Sequence, residues 1–443
     1  MSGLRMIEGS SAALTAALLA DTERCAVGYA QYDPAHGRWL LLKAEPVAEA
    51  AYESRDAMSA TLTPAALVEI ANRARREALS PVFIHTHPFA EGQPVFSTID
   101  DAGEAELAAY LAHRVPAARP LAMVIGPDGL RARMLATGKD IPVWEIGSRL
   151  RRLDDVARGT LAEERFDRQV RAFGAAGQRA ISALKILVVG SGGTGLATIL
   201  QLAYLGVTDL TVIDPDRVEV TNLNRLVGAG PGDVGMPKVE IAQRLVQSIN
   251  PAATCRAVIG DIVDEEHART IGGYDFIFLC TDSHASRAVV GQAAYQMLVP
   301  VIDMGVSITV ADGCVSHITG RVQMLSPSLP CLACTGALDG EQIRRELLTP
   351  EQRAADPYII GGQAPQPAVI SINSAMASLA TTMFLGAVAG VPAEARFQRY
   401  DGIRGIVRPM AATIRENCII CSQALAQGIE WGLPMRPKGG RHG

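Results

Sequence analysis

Apolar positions recur along the first third of the chain in two distinct patterns. Three stretches have helical spacing, and short apolar runs lie between them. This pattern predicts a compact α+β unit over residues 1–140. Helices are expected near 12–19, 64–78 and 102–113, and strands near 25–32, 39–43, 81–84 and 122–125.

A charged connector, residues 141–164, is predicted to follow, with a helix from Ile146 to Glu164. Beyond it, three short apolar runs at 185–189, 210–213 and 276–279 are typical of buried parallel strands. Helical segments lie between these runs, so residues 165–435 are predicted to form a doubly wound, Rossmann-like domain. The expected fold class is therefore α/β, and residues 436–443 are expected to be a flexible basic tail.

Composition narrows the class of protein. Hydrophobic residues make up 48% of the 443 positions and charged residues 20%, which is typical of globular domains and excludes a largely disordered chain. The length suggests two or three domains. The net charge of −5, from 41 basic and 46 acidic residues, gives no basic excess, so nucleic acid is a poor candidate partner.

Cysteine usage and apolar stretches indicate a cytoplasmic protein. Eight cysteines are too few for a disulfide scaffold, and two C-x-x-C pairs among them are typical of metal ligands in a reducing compartment. The apolar run 12–20 lies between Glu8 and Asp21, a poor match to a signal peptide. The uncharged stretch 364–392 has membrane length but carries seven polar side chains, which favours a buried helix in a protein interface.

Three candidate metal ligands and a hydroxyl fall within one strand–loop–helix passage. Alternation along a strand puts His85 and His87 on one face, and the following loop returns Asp100 as a third, harder ligand. Three protein ligands leave one tetrahedral position for water, as in catalytic zinc sites. Ser97, one helical turn before Asp100, is expected to donate a hydrogen bond to the oxyanion that forms when a carbonyl is attacked.

The H-x-H-P motif that begins at His85, followed by S-x-x-D from Ser97 to Asp100, resembles the motif of the JAB/MPN (JAMM) zinc isopeptidases. In that family a glutamate precedes an upstream strand, and Glu23 holds this place. The resemblance implies a JAB/MPN-like metallopeptidase domain with a catalytic Zn²⁺ and with Glu23 as the general base. Two polar histidines on an edge strand are the plainer alternative for His85 and His87.

A glycine-rich loop follows the first predicted strand of the second unit. It contains Gly190, Gly192, Gly193 and Gly195, and Asp214 ends the next strand 19 residues beyond the last glycine. This is a dinucleotide fingerprint, in which glycines admit phosphates to the helix N-terminus and the carboxylate accepts the ribose hydroxyls.

Residues after Asp214 change the expected nucleotide. Asn222, Arg225 and Lys238 supply an amide and cations that a hydride-transfer site does not require and that suit the triphosphate of ATP. A nicotinamide oxidoreductase is the weaker alternative, and protection against thermal unfolding by ATP or by NAD would separate the two.

Together with Arg165–Gln169 and the Cys280-Thr-Asp282 segment, these motifs resemble the ThiF/MoeB-like family of ubiquitin-activating and sulfur-carrier-activating enzymes. The resemblance implies a homodimeric, ATP- and Mg²⁺-dependent adenylyltransferase. In it Asp214 binds the ribose with Asp216 nearby, Arg225 and Lys238 hold the phosphates, Asn222 supports the site, Asp282 positions Mg²⁺, and Arg168 reaches the phosphates of the partner subunit.

The two C-x-x-C pairs match the zinc knuckle of the same family, which implies a structural Zn²⁺ held by Cys331, Cys334, Cys418 and Cys421. Two unrelated reduced pairs are the alternative. Thioester-forming members carry a cysteine in the crossover loop, but residues 335–417 contain none. Adenylation without a thioester at that loop is therefore predicted, with Cys314 as a reserve candidate.

Both resemblances together imply an enzyme that processes and activates one partner, a ubiquitin-like or sulfur-carrier protein. The first domain would cut a peptide or isopeptide bond after the partner's terminal glycine, and the second would adenylate that glycine. A bacterial ubiquitin-like conjugation pathway, for example in phage defence, with a conjugating enzyme downstream, is favoured over cofactor synthesis with a sulfurtransferase. A non-catalytic scaffold that tethers such a partner is the alternative from another class.

Overall fold

The computed structural model describes residues 3–154, 163–349, 352, 367–428 and 431–436. These residues form two compact units. The first contains the described residues up to 154 together with 425–428 and Trp431, and the second contains the described residues between 163 and 424 together with 432–436.

The first unit is built on a nine-stranded mixed sheet with the order β11-β10-β1-β3-β2-β6-β7-β8-β9, beside a separate β4–β5 hairpin. Its helices are α1 (Ser10–Leu18), α2 (Pro64–Glu77) and α3 (Thr98–Arg114). Its strands are β1 (Gly3–Ile7), β2 (Cys25–Asp33), β3 (Arg38–Pro46), β4 (Tyr52–Arg55), β5 (Ala60–Leu62), β6 (Ser80–Thr86), β7 (Leu121–Gly126), β8 (Gly129–Met134), β9 (Asp140–Ile141), β10 (Val143–Ile146) and β11 (Leu150–Arg152).

Helices cover both faces of this sheet. Because the side chains of a strand point alternately to its two faces, one strand packs against helices on both sides. Val82 and Ile84 of β6 join the hydrophobic cluster that contains the buried residues of α1. Phe83, between them, packs against the second cluster, which contains Ala71 and Ala74 of α2 and Leu111 of α3. The same alternation places His85 on the face of α2 and α3.

The helix predicted from Ile146 to Glu164 does not form in the described part of that segment. Residues 143–146 are strand β10, which pairs with β1, and residues 150–152 are strand β11. The prediction was wrong here because the charges of Arg151, Arg152 and Asp154 resembled those of an exposed helix, whereas the two arginines lie in strand β11. The first domain therefore continues beyond residue 140, and residues 155–162 of the predicted connector lie outside the described residues.

The second unit has an eight-stranded sheet with the order β14-β13-β12-β15-β16-β17-β18-β19. The first five strands in this order run parallel, and the pairs from β16 to β19 are antiparallel. The strands are β12 (Lys185–Val189), β13 (Asp209–Ile213), β14 (Thr254–Val258), β15 (Phe276–Leu279), β16 (Val301–Ala311), β17 (Cys314–Leu325), β18 (Phe397–Asp401) and β19 (Ile406–Pro409). This arrangement confirms the predicted Rossmann-like fold.

Seven α-helices of the second unit lie in the described residues. They are α4 (Asp167–Ala183), α5 (Gly193–Tyr204), α6 (Lys238–Ile249), α7 (Glu265–Ala268), α8 (His284–Gln296), α9 (Gly340–Leu347) and α10 (Ile370–Val388). Helix α4 is kinked at Gly174, whose φ of 78° breaks the helical backbone.

Helix α10 lies within the uncharged stretch 364–392, of which residues 364–366 lie outside the described residues. It is long and apolar enough to cross a membrane by length and composition alone. Its Met376, Ala380 and Phe384 are fully buried in the unit, and Phe384 stacks edge-on against Phe276 of β15. These contacts are those of a core helix.

The start of the predicted flexible tail is held in place. Arg436 bonds to Asp264 at 2.8 Å and lies 3.5 Å from Asp261. Its guanidinium also donates to the carbonyl of Glu346 at 2.9 Å. The tail prediction was therefore wrong at Arg436, because these acceptors fix its side chain, and residues 437–443 lie outside the described residues.

Candidate active sites

The first unit brings the three predicted metal ligands together at the end of β6. His85 lies in that strand, His87 follows it, and Asp100 lies in the first turn of α3. His85 Nε2 is 3.2 Å from Asp100 Oδ1, and His87 Nε2 is 3.3 Å from Asp100 Oδ2. One ligand atom from each residue lies within 4.8 Å of the others. Two imidazoles and a carboxylate could thus bind one ion.

The donor set fits a zinc ion. His85 Nε2 is buried and has no hydrogen-bond partner of acceptable geometry, although it lies beside the Asp100 carboxylate. A buried polar atom without a partner is costly, and a metal ion would satisfy it. Burial raises the pKa of Asp100, but the two nearby imidazoles outweigh that effect and hold the pKa well below its usual range. The carboxylate is therefore ionised, as a ligand must be.

Glu23 lies next to this cluster. Its Oε1 is 3.7 Å from His87 Nε2, and the residue is only 5% exposed. Its backbone N–H donates to the carbonyl of Asp56, in the turn of the β4–β5 hairpin, at 2.8 Å. Burial raises the pKa of Glu23, although both imidazoles oppose the shift. A buried carboxylate of raised basicity suits a general base.

Ser97 caps helix α3. Its Oγ accepts a hydrogen bond from Asp100 N at 3.1 Å, and its own N–H donates to Asp100 Oδ2 at 2.6 Å. This capping box fixes the carboxylate of Asp100 toward the histidines. Because Ser97 Oγ accepts in this contact, its hydroxyl hydrogen is still able to donate. The oxyanion role of Ser97 stays a prediction.

The glycine loop of the second unit is closely packed. Asp214 is buried at its base, where its Oδ2 accepts from Ser191 N at 2.6 Å and from Ser191 Oγ at 3.0 Å. Burial raises the pKa of Asp214. Gly190 has a φ of +91°, and a Cβ there would lie 2.8 Å from the Cys280 carbonyl. Only glycine allows that close approach of the two backbones.

Gly195→Ala and Gly192→Ala are expected to affect the second unit differently. A Cβ on Gly195 would lie 2.0 Å from the Gly190 carbonyl, whereas a Cβ on Gly192 meets no atom within 4 Å. We expect Gly195→Ala to lower the free energy of unfolding by roughly 1–3 kcal/mol without nucleotide. Gly192→Ala should unfold like the parent but gain less stability from ATP, because its methyl group would occupy the phosphate side of the loop. If calorimetry without nucleotide shows that both variants lose the same free energy of unfolding, this prediction is contradicted.

Only some of the polar residues predicted to hold the nucleotide are connected by hydrogen bonds or ion pairs. Lys238 Nζ bonds to Asp216 Oδ2 at 2.7 Å, and Asp216 N donates to Asp214 Oδ1 at 2.8 Å. Arg225 donates to the Thr221 carbonyl at 2.8 Å. A Cβ on Gly193 would lie 2.2 Å from Nδ2 of Asn373 on α10.

Of the remaining predicted residues, Asn222 contacts Arg225 through the backbone, since its carbonyl accepts the Arg225 N–H at 3.0 Å. Asn222 is buried, and its Oδ1 accepts from the Glu219 N–H at 3.3 Å. Arg168 is exposed in the first turn of α4, and Asp282 is exposed just after β15. Nothing in the described part of the chain joins either of these two side chains to the glycine loop, so their roles stay predictions.

Three charged residues that the sequence pattern did not predict are linked to one another, and one of them contacts Asp282. Asp303 of β16 is fully buried and bonds to Arg287 Nε at 3.1 Å and to Arg321 Nη2 at 2.5 Å. Arg287 also donates to the Asp282 carbonyl at 3.2 Å. Both arginines line a cavity of about 620 Å³. The sequence does contain one indication of this cluster, an aspartate inside the apolar run of residues 301–304. A charge buried in such a strand requires a partner of opposite charge.

The four cysteines of the predicted knuckle form one cluster. The Sγ atoms of Cys331 and Cys418 are 3.6 Å apart, as are those of Cys334 and Cys421, and all four lie within 4.8 Å of one another. A hydrogen bond from Cys421 lowers the pKa of Cys331. Four converging sulfur atoms fit a closed zinc site.

Cys418→Ser is expected to remove one zinc ion per chain and to lower the melting temperature, because three thiolates hold a structural zinc weakly. Elemental analysis and calorimetry measure both effects. Cys314→Ser is the matched control, since Cys314 is exposed at the start of β17 and lies outside the cluster. An unchanged zinc content in Cys418→Ser would contradict the assignment.

Comparison with known proteins gives a consistent result for the second unit. Residues 166–420 match the ThiF family. A molybdopterin-synthase adenylyltransferase of Salmonella typhimurium is 32% identical over 263 residues, which cover 58% of this chain and 96% of that protein. A sulfur carrier protein adenylyltransferase of Thermus thermophilus is 27% identical over 274 residues, which cover 60% and 92%.

Among solved structures, the crystal structure of Escherichia coli MccB with ATP has a TM-score of 0.47 and 17% identity, and the match covers 60% of this chain and 76% of that one. The family match begins at residue 166, so it does not include the cluster of His85, His87 and Asp100.

Proposed function

The chain belongs to the ThiF family, and on this premise we propose that its second unit adenylates the terminal glycine of a ubiquitin-like or sulfur-carrier protein. The names of two relatives, a sulfur carrier protein adenylyltransferase and a SAMP-activating enzyme E1 of Haloferax volcanii, support this class of substrate. The observation that carries the proposal is the glycine loop packed onto buried Asp214, with Lys238 two contacts away.

In the proposed reaction the terminal carboxylate attacks the α-phosphorus of ATP, the bond to the leaving pyrophosphate breaks, and an acyl adenylate forms. Asp214 would accept the ribose hydroxyls, and Arg225 and Lys238 would neutralise phosphate charge. Mg²⁺, held with the help of Asp282, would supply further charge neutralisation. Lys238 must exchange its bond to Asp216 for a phosphate oxygen, which its partly exposed partner permits.

Isotope exchange between pyrophosphate and ATP tests this proposal. Exchange should depend on a partner that ends in glycine, because that carboxylate is the nucleophile. Amidation of the terminal glycine removes the nucleophile and is the matched control for the partner. Exchange that proceeds equally with the amidated partner would overturn the proposal.

For the first unit we propose a zinc-dependent cleavage of a peptide or isopeptide bond after the same glycine. The support is geometric: His85, His87 and Asp100 converge, and buried Glu23 lies 3.7 Å from His87. A bound zinc would supply Lewis acidity at the open coordination position. Glu23 would remove a proton from the attacking water and return it to the leaving amine, while Ser97 would donate to the developing oxyanion.

One chain would then prepare and activate one glycine tail. We place it in the cytoplasm in a bacterial ubiquitin-like conjugation pathway, with phage defence as the candidate setting and a conjugating enzyme as the receiver. Sulfur-carrier activation for cofactor synthesis is the second candidate, and it is favoured by the relatives named for molybdopterin synthase and sulfur carriers. Analysis of the product formed with each class of partner separates the two settings.

The adenylating unit is also proposed to act as a homodimer. Arg168 is exposed at the start of α4 and lacks a described link to its own glycine loop. An arginine in this position is able to act on the phosphates of a second copy.

A further inference from the structure

Four arginines form a row across the antiparallel end of the second sheet. Arg321 of β17 lies directly opposite Arg399 of β18, which lies directly opposite Arg408 of β19. On the other side, Arg321 is opposite Gly305 of β16, where a Cβ would lie 3.0 Å from Arg287 Nη2. Directly paired residues of an antiparallel sheet share one face. We call Arg287, Arg321, Arg399 and Arg408 the arginine row.

The arginine row carries more positive charge than the protein neutralises. The carboxylate of Asp303 bonds to both Arg287 and Arg321. Arg399 and Arg408 are exposed, and no carboxylate within the described ranges forms an ion pair with either. Like charges directly opposite one another destabilise a sheet. The cavity of about 620 Å³ is lined by Arg287, Arg321 and Arg399, and none of the described residues that line it is acidic.

The row begins at the candidate adenylation site. Arg287 donates to the carbonyl of Asp282 at 3.2 Å, so its guanidinium touches the residue predicted to position Mg²⁺. Neighbouring strands are about 4.8 Å apart, and the row crosses from β16 to β19, a span of roughly 14 Å. An extended chain advances roughly 3.3 Å per residue, so about four residues would cover it.

We propose that the arginine row binds an acidic segment of the partner, within the few residues that precede its terminal glycine. The inference rests on the proposed adenylation, because it uses the nearness of the row to Asp282. Carboxylates of the partner would neutralise Arg399 and Arg408 while the glycine reaches the nucleotide. A partner with a neutral or basic tail would leave these two charges uncompensated and would be selected against.

Two labelled peptides of twelve residues that end in Gly-Gly test the proposal with the full chain. One carries two aspartates within the four residues before Gly-Gly, and its control carries asparagine at both places. Fluorescence anisotropy should show that the aspartate peptide binds about 3- to 20-fold more tightly, the value of two exposed ion pairs. This preference, the ratio of the two affinities, should decrease as the salt concentration increases.

Arg399→Gln combined with Arg408→Gln should reduce the preference to about one, without changing the affinity for the asparagine peptide. Arg404→Gln is the matched control, because Arg404 lies in the same hairpin but pairs with Asp401 at 2.9 Å. It should retain the full preference. Equal binding of both peptides, or no binding by either below about 1 mM, would overturn the proposal. Tighter, equally arginine-dependent binding of a dT12 oligonucleotide would also overturn it.

Pyrophosphate exchange with the same peptides separates the two levels of inference. Exchange that is equal with both peptides would support adenylation and contradict the proposed binding of an acidic segment by the arginine row. Selective binding of the aspartate peptide without exchange would support the row and contradict adenylation. Selective binding together with selective exchange would support both.

Discussion

Asp282→Ala is expected to abolish pyrophosphate exchange, with a loss of at least about 10²–10³. Removal of the carboxylate takes away the residue predicted to position Mg²⁺, so the charge that develops on the phosphates is no longer compensated. The fold should not change, because Asp282 is exposed and only its backbone carbonyl accepts a described hydrogen bond. Exchange rates at saturating ATP, beside a melting curve, measure both.

Asp209→Ala is the matched control for Asp282→Ala. Asp209 starts β13, at the opposite end of the parallel strands from the glycine loop, and pairs with Arg256. It should retain parental exchange. Parental exchange in Asp282→Ala would remove Asp282 from the site.

Mixing Asp282→Ala with Arg168→Ala extends the test to the proposed homodimer. Random reassortment should restore about a quarter of the activity if each site takes Arg168 from the partner, because half of the dimers are mixed and each has one intact site. No recovery despite confirmed subunit exchange would show that each chain completes its own site.

Glu23→Gln is expected to keep zinc but to lose cleavage of a tail-extended partner by roughly 10²–10⁴, the usual contribution of a positioned general base. The amide has nearly the same shape as the carboxylate and leaves His85, His87 and Asp100 unchanged. Zinc content measured beside cleavage rate distinguishes loss of the base from loss of the metal. Cleavage at the parental rate would show that Glu23 is not the base.

His87→Ala, in contrast, should lose both zinc and cleavage, because two remaining ligands bind the ion weakly. His113→Ala is its control: His113 is exposed in the last turn of α3 and lies outside the cluster. Zinc retained at full occupancy in His87→Ala would exclude this residue as a ligand.

Local sequence patterns predicted much of the fold. The helices expected near 64–78 and 102–113 correspond to α2 and α3, and the run at 81–84 lies within β6. The histidines and Asp100 meet because one strand, one loop and one capped helix bring them together. Such short-range geometry follows directly from alternation and capping.

The strands that the sequence pattern failed to predict contain buried charged residues. Strand β1 lies inside the first sheet, between β10 and β3, yet it carries Arg5, which is 2% exposed. Glu145 interrupts the apolar pattern of β10 in the same way and is 1% exposed. A hydropathy pattern predicts that such charged residues are exposed. Their burial depends on polar partners that lie far away in the sequence, which a local pattern does not include. Asp303 was missed for the same reason, since its arginine partners belong to α8 and β17.

The capping box at Ser97 links the start of a helix to a proposed metal ligand, Asp100. Asp100 Oδ2 accepts the Ser97 N–H at 2.6 Å and also faces His87 Nε2 at 3.3 Å. If the proposed zinc binds, one carboxylate contributes to two equilibria, the fraying of the first turn of α3 and the occupancy of the ion. By thermodynamic reciprocity, each must shift the other by the same free energy. Exchange of the Ser97 amide hydrogen with solvent is consequently a spectroscopic reporter of metal binding that needs neither substrate nor turnover.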